Sequence, residues 1–281
     1  NVKAEVYFNI QAKELVCSDL VAVQRQVKSS LELEMIRSSA KICDESMYKI
    51  FDSVYQGASV IEIFAISKSI QNDLIRSGNF DPITTSLLTV AWPAPQSSMP
   101  HSIPGLNDRL GKGPNQAMCY FRINGYASEC ERTFFLNPPS GEEKELFQHM
   151  MNARERALSK VKAGVQTADI DAEAREYLIR HGLKDTLLHR TGHGIGLGNH
   201  EGPYIAEGSK DILKENMVIS IEPGIYVEGL GGFRHSDTVL VKKDGYELLT
   251  NAPRNLEDVI IEKSNLGSRI KGSIIRKSLR L

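Results

Sequence analysis

The stretch His189-Arg190-Thr191-Gly192-His193-Gly194-Ile195-Gly196-Leu197-Gly198-Asn199-His200-Glu201-Gly202-Pro203 decides how the rest of the chain is read. It holds three of the 7 histidines, His189, His193 and His200. Gly192, Gly194, Gly196 and Gly198 between them oppose a stable helix and let backbone come close to a ligand. A solvated surface loop is the plain alternative. Reactive groups collect on loops held by a rigid scaffold, however, and this composition reads as site architecture. The segment is not a phosphate loop, because it lacks the G-x-G-x-x-G spacing behind a strand and no Gly-Lys-Ser/Thr follows.

Downstream, residues 217–227 and 233–241 read as two strands, the first presenting Glu222 just before Pro223. An acid inside an apolar β run is costly to bury unless it is paired or ligated, so Glu222 is a site candidate. The second strand carries Arg234, His235, Ser236 and Asp237. Upstream, Leu33, Ile36, Ala40, Cys43, Met47, Ile50 and Val54 recur at helical steps behind a Ser29/Glu32 capping box. This predicts a long helix ending near Gly57. A shorter helix over 59–77, stopped by Gly78, and a buried strand over 83–92 follow. Prolines make 92–113 a loop, and His101 lies in it. Residues 116–136 read as a hairpin turning at Gly125-Tyr126. Within it Glu129 and Glu131, two apart, share one strand face, where like charges repel unless a cation intervenes. Ser140 with Glu143 then caps a second long helix ending at Gly164, and a short helix over 167–180 closes at Gly182. The order of long helix, short helix and strands occurs twice, which predicts two similar halves of an α+β fold.

Of the 281 residues, 41% are hydrophobic and 25% charged, a globular profile. The net charge of -1 leaves no broad basic footprint for nucleic acid or an anionic membrane. No apolar run approaches the ~20 residues needed to span a bilayer. Cys17, Cys43, Cys119 and Cys130 are scattered, with no C-x-x-C, so neither a zinc knuckle nor a disulfide framework is indicated and a reducing cytoplasm is expected. The first residue is Asn1, and an upstream domain is expected before it.

Taken together, five features resemble the creatinase, prolidase and aminopeptidase P family over about residues 24–256. They are Pro100-His101, Gly-Tyr-x-Ser-x-x-x-Arg-Thr-Phe ending at Phe134, the histidine segment, Ser-Ile-Glu-Pro-Gly-Ile-Tyr around Glu222, and Gly-Phe-Arg-His-x-Asp-Thr-Val-Leu-Val from Gly232. The resemblance implies the pita-bread fold, two pseudo-symmetric α+β halves around a curved antiparallel sheet, and a homodimer. On this reading residues 1–24 are the remnant of a linker or amino-terminal domain, 25–258 the catalytic domain and 259–281 a basic tail.

Peptidases of the family bind two divalent metals, and the resemblance maps their ligands to Met118, Glu129, His193, Glu222 and Ser236. A thioether and a hydroxyl are poor substitutes for two carboxylates around hard cations, so two metals are not expected. Creatinase is the metal-free member, and His101 matches its proton-transferring histidine, Glu131 one substrate-holding glutamate. Its second substrate glutamate falls at His235, a departure that argues against creatine.

The leading expectation is therefore a metal-independent hydrolase of a C–N bond in a small amidine, guanidino or imino-acid-like compound. His101, His193 and Glu222 would be catalytic, and Glu129, Glu131, His200, His235 and Arg234 would bind substrate, with no metal cofactor. One alternative is an Xaa-Pro dipeptidase or aminopeptidase with a single divalent metal on His193, Glu222 and Glu129. Another is an inactive domain that uses the cleft to bind peptide or protein.

Overall fold

A computed structural model describes residues 18–262 and 266–280, so the part of the expected linker before Ser18, including Cys17, lies outside the described residues. The helices are α1 (Leu20–Gln26), α2 (Ser30–Ser53), α3 (Val60–Ser77), α4 (Gly141–Lys160), α5 (Thr167–Arg180) and α6 (Leu266–Ser278). The strands are β1 (Ser86–Trp92), β2 (Asn115–Ile123), β3 (Tyr126–Phe134), β4 (Gly192–Gly194), β5 (Glu201–Ile205), β6 (Val218–Ile221), β7 (Gly224–Val227), β8 (Gly231–Arg234), β9 (Ser236–Lys242) and β10 (Gly245–Leu248).

Local chemistry starts both long helices where the sequence reading puts them. At α2 the Glu32 carboxylate accepts from the Ser29 N–H at 2.8 Å, and at α4 Glu143 does the same for Ser140 at 2.6 Å. Each pair satisfies amide donors that the first helical turn leaves without partners. α3 stops at Gly78, whose φ of 72° is the left-handed cap that glycine adopts without penalty. β1 starts later than expected, because Asp81 organises a turn whose Ile83 side chain is 88% exposed.

The strands pair antiparallel in the order β1-β2-β3-β9-β6-β4-β5, with β10 on β9. β7 and β8 form a separate two-stranded ribbon. Helix α2 covers β2 and β3, while α4 lies on α5 and against the second half of the sheet, so the duplicated layout is present. Fully buried Phe121, Phe134, Phe135, Met150, Ile170 and Phe233 join both halves in one core.

Two expected strands break, and both breaks matter for the site. The run over 217–227 divides at Glu222-Pro223. The Glu222 N–H donates to Thr191 O at 2.8 Å instead of to a sheet neighbour, and Pro223 has no N–H to offer. The run over 233–241 divides at His235, between β8 and β9. The chain thus leaves the main sheet at Glu222 and re-enters it after His235, which makes Glu222 a corner residue. Within the expected tail, α6 docks on α3: Arg276 pairs with Glu62, and a side chain at Gly272 would collide with that carboxylate.

Candidate active site

The β2–β3 hairpin builds one wall. Asn124 and Gly125 both have positive φ, 49° and 94°, so the tight turn sits one residue earlier than the sequence reading has it. That turn pairs Tyr120 with Glu129 and Met118 with Glu131. Alternate residues of a strand share a face, so all four point into one cavity of ≈ 510 Å³. The facing wall comes from His189, Arg190 and His200, which flank β4, and from the Glu222 corner. β4 requires its glycines, since a Cβ at Gly192 or Gly194 would run into the carbonyl of Ser220 or Gly202. With them, His193 is set fully buried beside the corner.

The tautomer of His193 follows from its neighbours. Its Nδ1 lies 3.1 Å from Gly194 O, and a carbonyl only accepts, so Nδ1 carries the proton. Nε2 then faces Glu222 Oε1 at 3.3 Å and Glu129 Oε1 at 3.5 Å, buried and without a hydrogen-bond partner. Burial alone would lower the His193 pKa, but Glu129, seconded by Glu222, overrides it and lifts it to about 10, so Nε2 also takes up a proton at neutral pH, one that an ion bound there would displace. Burial likewise acts to raise the Glu222 pKa, yet His193 and then Arg234 hold it down at about 2. The His200 ring lies 4.0 Å from that of His193, and its Nδ1 is 2.8 Å from the Tyr120 hydroxyl. One donor atom each from Glu129, His193 and His200 falls within a 4.8 Å cluster.

This donor set fits one divalent ion. His193 presents an otherwise unpaired Nε2, its other nitrogen anchored on a carbonyl as ligating histidines usually are. The His200 ring is held through Nδ1 by the Tyr120 hydroxyl at 2.8 Å. Two imidazoles and one or two carboxylates suit a borderline transition ion with a position left open. Two ions do not fit. Met118 offers a thioether, and the Ser236 hydroxyl donates to Glu129 at 2.8 Å. The expectation of no metal is not supported by this donor set, to which His200 adds a donor that the mapping omitted.

The other candidates divide. His101 is exposed at the rim, its ring 6.1 Å from that of His189. Glu131 and Arg234, expected to hold substrate, hold each other: Nε and Nη2 of Arg234 donate to the two Glu131 oxygens at 2.6 and 2.8 Å. Burial pushes the Glu131 carboxyl up to about 7 while Arg234 draws it back. His235 is displaced altogether. It is 0% exposed, edge-on to Phe147 on α4, with Nε2 towards Thr133 O at 3.5 Å. Burial, then Arg132 and Arg154, keep it neutral, so it cannot grip substrate.

Sequence reasoning missed Tyr120, Arg190, Tyr226 and the role of His189. Nδ1 of His189 donates to Arg190 O at 2.6 Å, so its Nε2 accepts from the Tyr226 hydroxyl at 2.8 Å. Burial, reinforced by Arg234, lowers the His189 pKa to about 4 and keeps it neutral. Tyr120 was within reach of sequence analysis. An Asn-Gly turn at 124–125 sets it opposite Glu129.

Residues 34–243 match the profile of metallopeptidase family M24. The Xaa-Pro dipeptidase of Pyrococcus furiosus is 30% identical over 240 residues, 85% of this chain and 67% of that protein. Among solved structures, the X-Pro aminopeptidase of Thermotoga maritima superposes with a TM-score of 0.74 at 30% identity, over 84% of this chain and 66% of that one. The prolidase of Thermococcus sibiricus gives a TM-score of 0.74 at 31% identity, over 85% and 64%. The fold is therefore the pita-bread architecture that the motifs implied, and the chain spans about two thirds of the length of these relatives.

Proposed function

From the premise that the chain belongs to metallopeptidase family M24, a family of hydrolases, we propose that its cavity hydrolyses a small dipeptide ending in an imino acid, using one divalent ion. The observation that carries this reading is the cluster of Glu129, His193 and His200 around the unpaired Nε2 of His193, with Glu222 alongside. A bound ion would supply Lewis-acid polarisation of the scissile carbonyl.

The protein's own groups account for the rest. Glu222 stays ionised across the neutral range and faces the substrate's cationic amino group. Leu88 and Trp92 give the cavity an apolar side that receives the ring and displaces water. As water oxygen bonds to the carbonyl carbon it gives up a proton, and as the C–N bond breaks the leaving nitrogen takes one up; His101, on the rim, would carry the proton from the one to the other. Tyr120 holds the His200 ring in its orientation, and the Tyr226-His189-Arg190 chain of hydrogen bonds holds the rim.

The test is a titration of the purified chain with Mn²⁺, Co²⁺ and Zn²⁺, read by calorimetry and elemental mass spectrometry, alongside release of proline from Ala-Pro. One ion per chain, lost in His193→Ala, with chelator-sensitive turnover is the expected result. Absence of both ion binding and Ala-Pro cleavage would overturn the reading. A second reading, the metal-independent hydrolase of an amidine or guanidino compound, is favoured by one observation: the neutral side chains of Met118 and Ser236 at two mapped ligand positions. Chelator-insensitive turnover of such a compound would select it. The relatives lend it no support, and Glu131 is already committed to Arg234. A homodimer and a cytoplasmic location belong to the same proposal. The buried free thiols of Cys43, Cys119 and Cys130 suit a reducing compartment.

A further inference from the structure

We propose that Glu201 is a positioning residue that holds His200 in the ion cluster, and that Arg25 and Lys28, at the end of α1 and just beyond it, fix Glu201 for that task. The inference deepens the ion reading above and rests on it. Glu201 follows His200 directly and opens β5. There the two side chains part: His200 lines the cavity, while Glu201 reaches α1 and Lys28. Whatever fixes the carboxylate therefore fixes the backbone from which the imidazole projects.

Both oxygens of Glu201 are engaged. Oε2 accepts from Arg25 Nη2 at 2.7 Å, and Oε1 from Lys28 Nζ at 3.1 Å. Oε2 also accepts the Gly198 N–H at 3.1 Å, which ties the loop before His200 to the same carboxylate. Gly196 makes room for this, since a side chain there would run into Glu201 Oε1. Lys28 is 3% exposed, and its ammonium also donates to Gln26 O at 3.0 Å. So deeply buried a cation keeps its partner in place, because moving the carboxylate would leave the charge uncompensated. The frame behind the clamp is anchored in turn. The Lys28 N–H donates to Asn216 O at 3.0 Å, and Val27 bridges to Met217, the residue before β6. β6 ends at Ile221, so the arm that places His200 and the strand that presents Glu222 share one foundation. On the cavity side, Tyr120 meets His200 Nδ1 at 2.8 Å, and Asn199 donates to Phe121 O at 3.1 Å. Tethers on β2 and on the α1 end together hold a segment that its glycines would otherwise leave loose.

The experiment measures Mn²⁺ and Zn²⁺ affinity of the full chain by calorimetry, in wild type and in Glu201→Gln, Lys28→Met, Lys28→Arg and Arg25→Gln. Glu201→Gln is also made in a His200→Ala background. Glu201→Gln and Lys28→Met should weaken the ion by about 10–100-fold, the scale of a lost orienting partner, and Lys28→Arg should keep most of the affinity. In the His200→Ala background, Glu201→Gln should change nothing further. Equal losses in both backgrounds, or no loss in either, overturn the proposal, since a pair that only stabilises the fold would act without regard to His200. Arg25→Gln, at the half-buried arm of the clamp, gives the same comparison where a buried substitution does not fold. Spectra of ion-free protein carrying ¹⁵N-histidine supply a second readout: the His200 contact with Tyr120 should be lost in Glu201→Gln, and its survival overturns the clamp. A wild type that binds no ion refutes the metal reading, and these spectra then decide the clamp by themselves.

Discussion

Replacing Asp237 by Asn should destabilise the protein by several kcal/mol, although Asp237 is not placed in the chemistry of the site. Asp237, Arg132 and Arg154 are 0%, 0% and 2% exposed. Oδ1 of Asp237 accepts from Arg132 Nη2 at 2.7 Å and from the Thr250 hydroxyl at 2.8 Å, while Oδ2 pairs with Arg154. Arg132 spends its remaining donors on backbone, including Glu131 O at 2.7 Å and Ser236 O at 2.9 Å, so the cluster ties β3 to β9 under the cavity.

In the Asp237→Asn variant two buried guanidiniums would share no carboxylate, a loss of about 3–5 kcal/mol for a broken buried pair. Proton linkage gives a smaller figure in the same direction. Burial acts to raise the Asp237 pKa, but Arg132 and Arg154 hold it at about 2 against the usual 3.8. At about 1.4 kcal/mol per unit, that is roughly 2–3 kcal/mol. The depressed folded-state value means this stabilisation is full above about pH 4 and is lost as pH falls towards 2. The assay is urea unfolding and calorimetry of wild type and Asp237→Asn at pH 7 and across the acid range. The melting temperature should drop by about 6–20 °C at neutral pH, at roughly 2–4 °C per kcal/mol for a chain of this size. The gap between the two proteins should narrow below about pH 4. A variant within about 1 kcal/mol of wild type at pH 7 would refute the argument that the cluster is held by its charges.

Two other substitutions probe the site. Tyr120→Phe removes the anchor on His200 Nδ1 and should weaken divalent-ion affinity by about 10–100-fold in a calorimetric titration; unchanged affinity would take His200 out of the ligand set. His101→Ala should slow turnover by about 10²–10⁴-fold with substrate binding intact, and an unaltered rate would end its role as proton donor.

The parts of this protein that were legible in its sequence are those governed by neighbours along the chain. Ser29 with Glu32 and Ser140 with Glu143 are capping boxes within three residues, and Gly78 ends α3 by its own freedom at positive φ, so helix order and the duplicated plan could be read directly. The alternation of Glu129 and Glu131 on one strand face likewise needed only the strand period. The fate of those two carboxylates did not follow from it. Glu131 is committed to Arg234, 103 residues away, and Glu129 faces His193 only because β3, β9, β6 and β4 lie side by side in that order. His235 was read as a site residue because it falls where the resemblance puts a substrate-holding glutamate; the break between β8 and β9 buries it against Phe147 instead. His200 joins Glu129 and His193 through a contact with Tyr120 across 80 residues, an adjacency that no local propensity encodes. Residue types and spacing thus determined the fold and the candidate groups, while long-range pairing of charges decided which of them remain free to act.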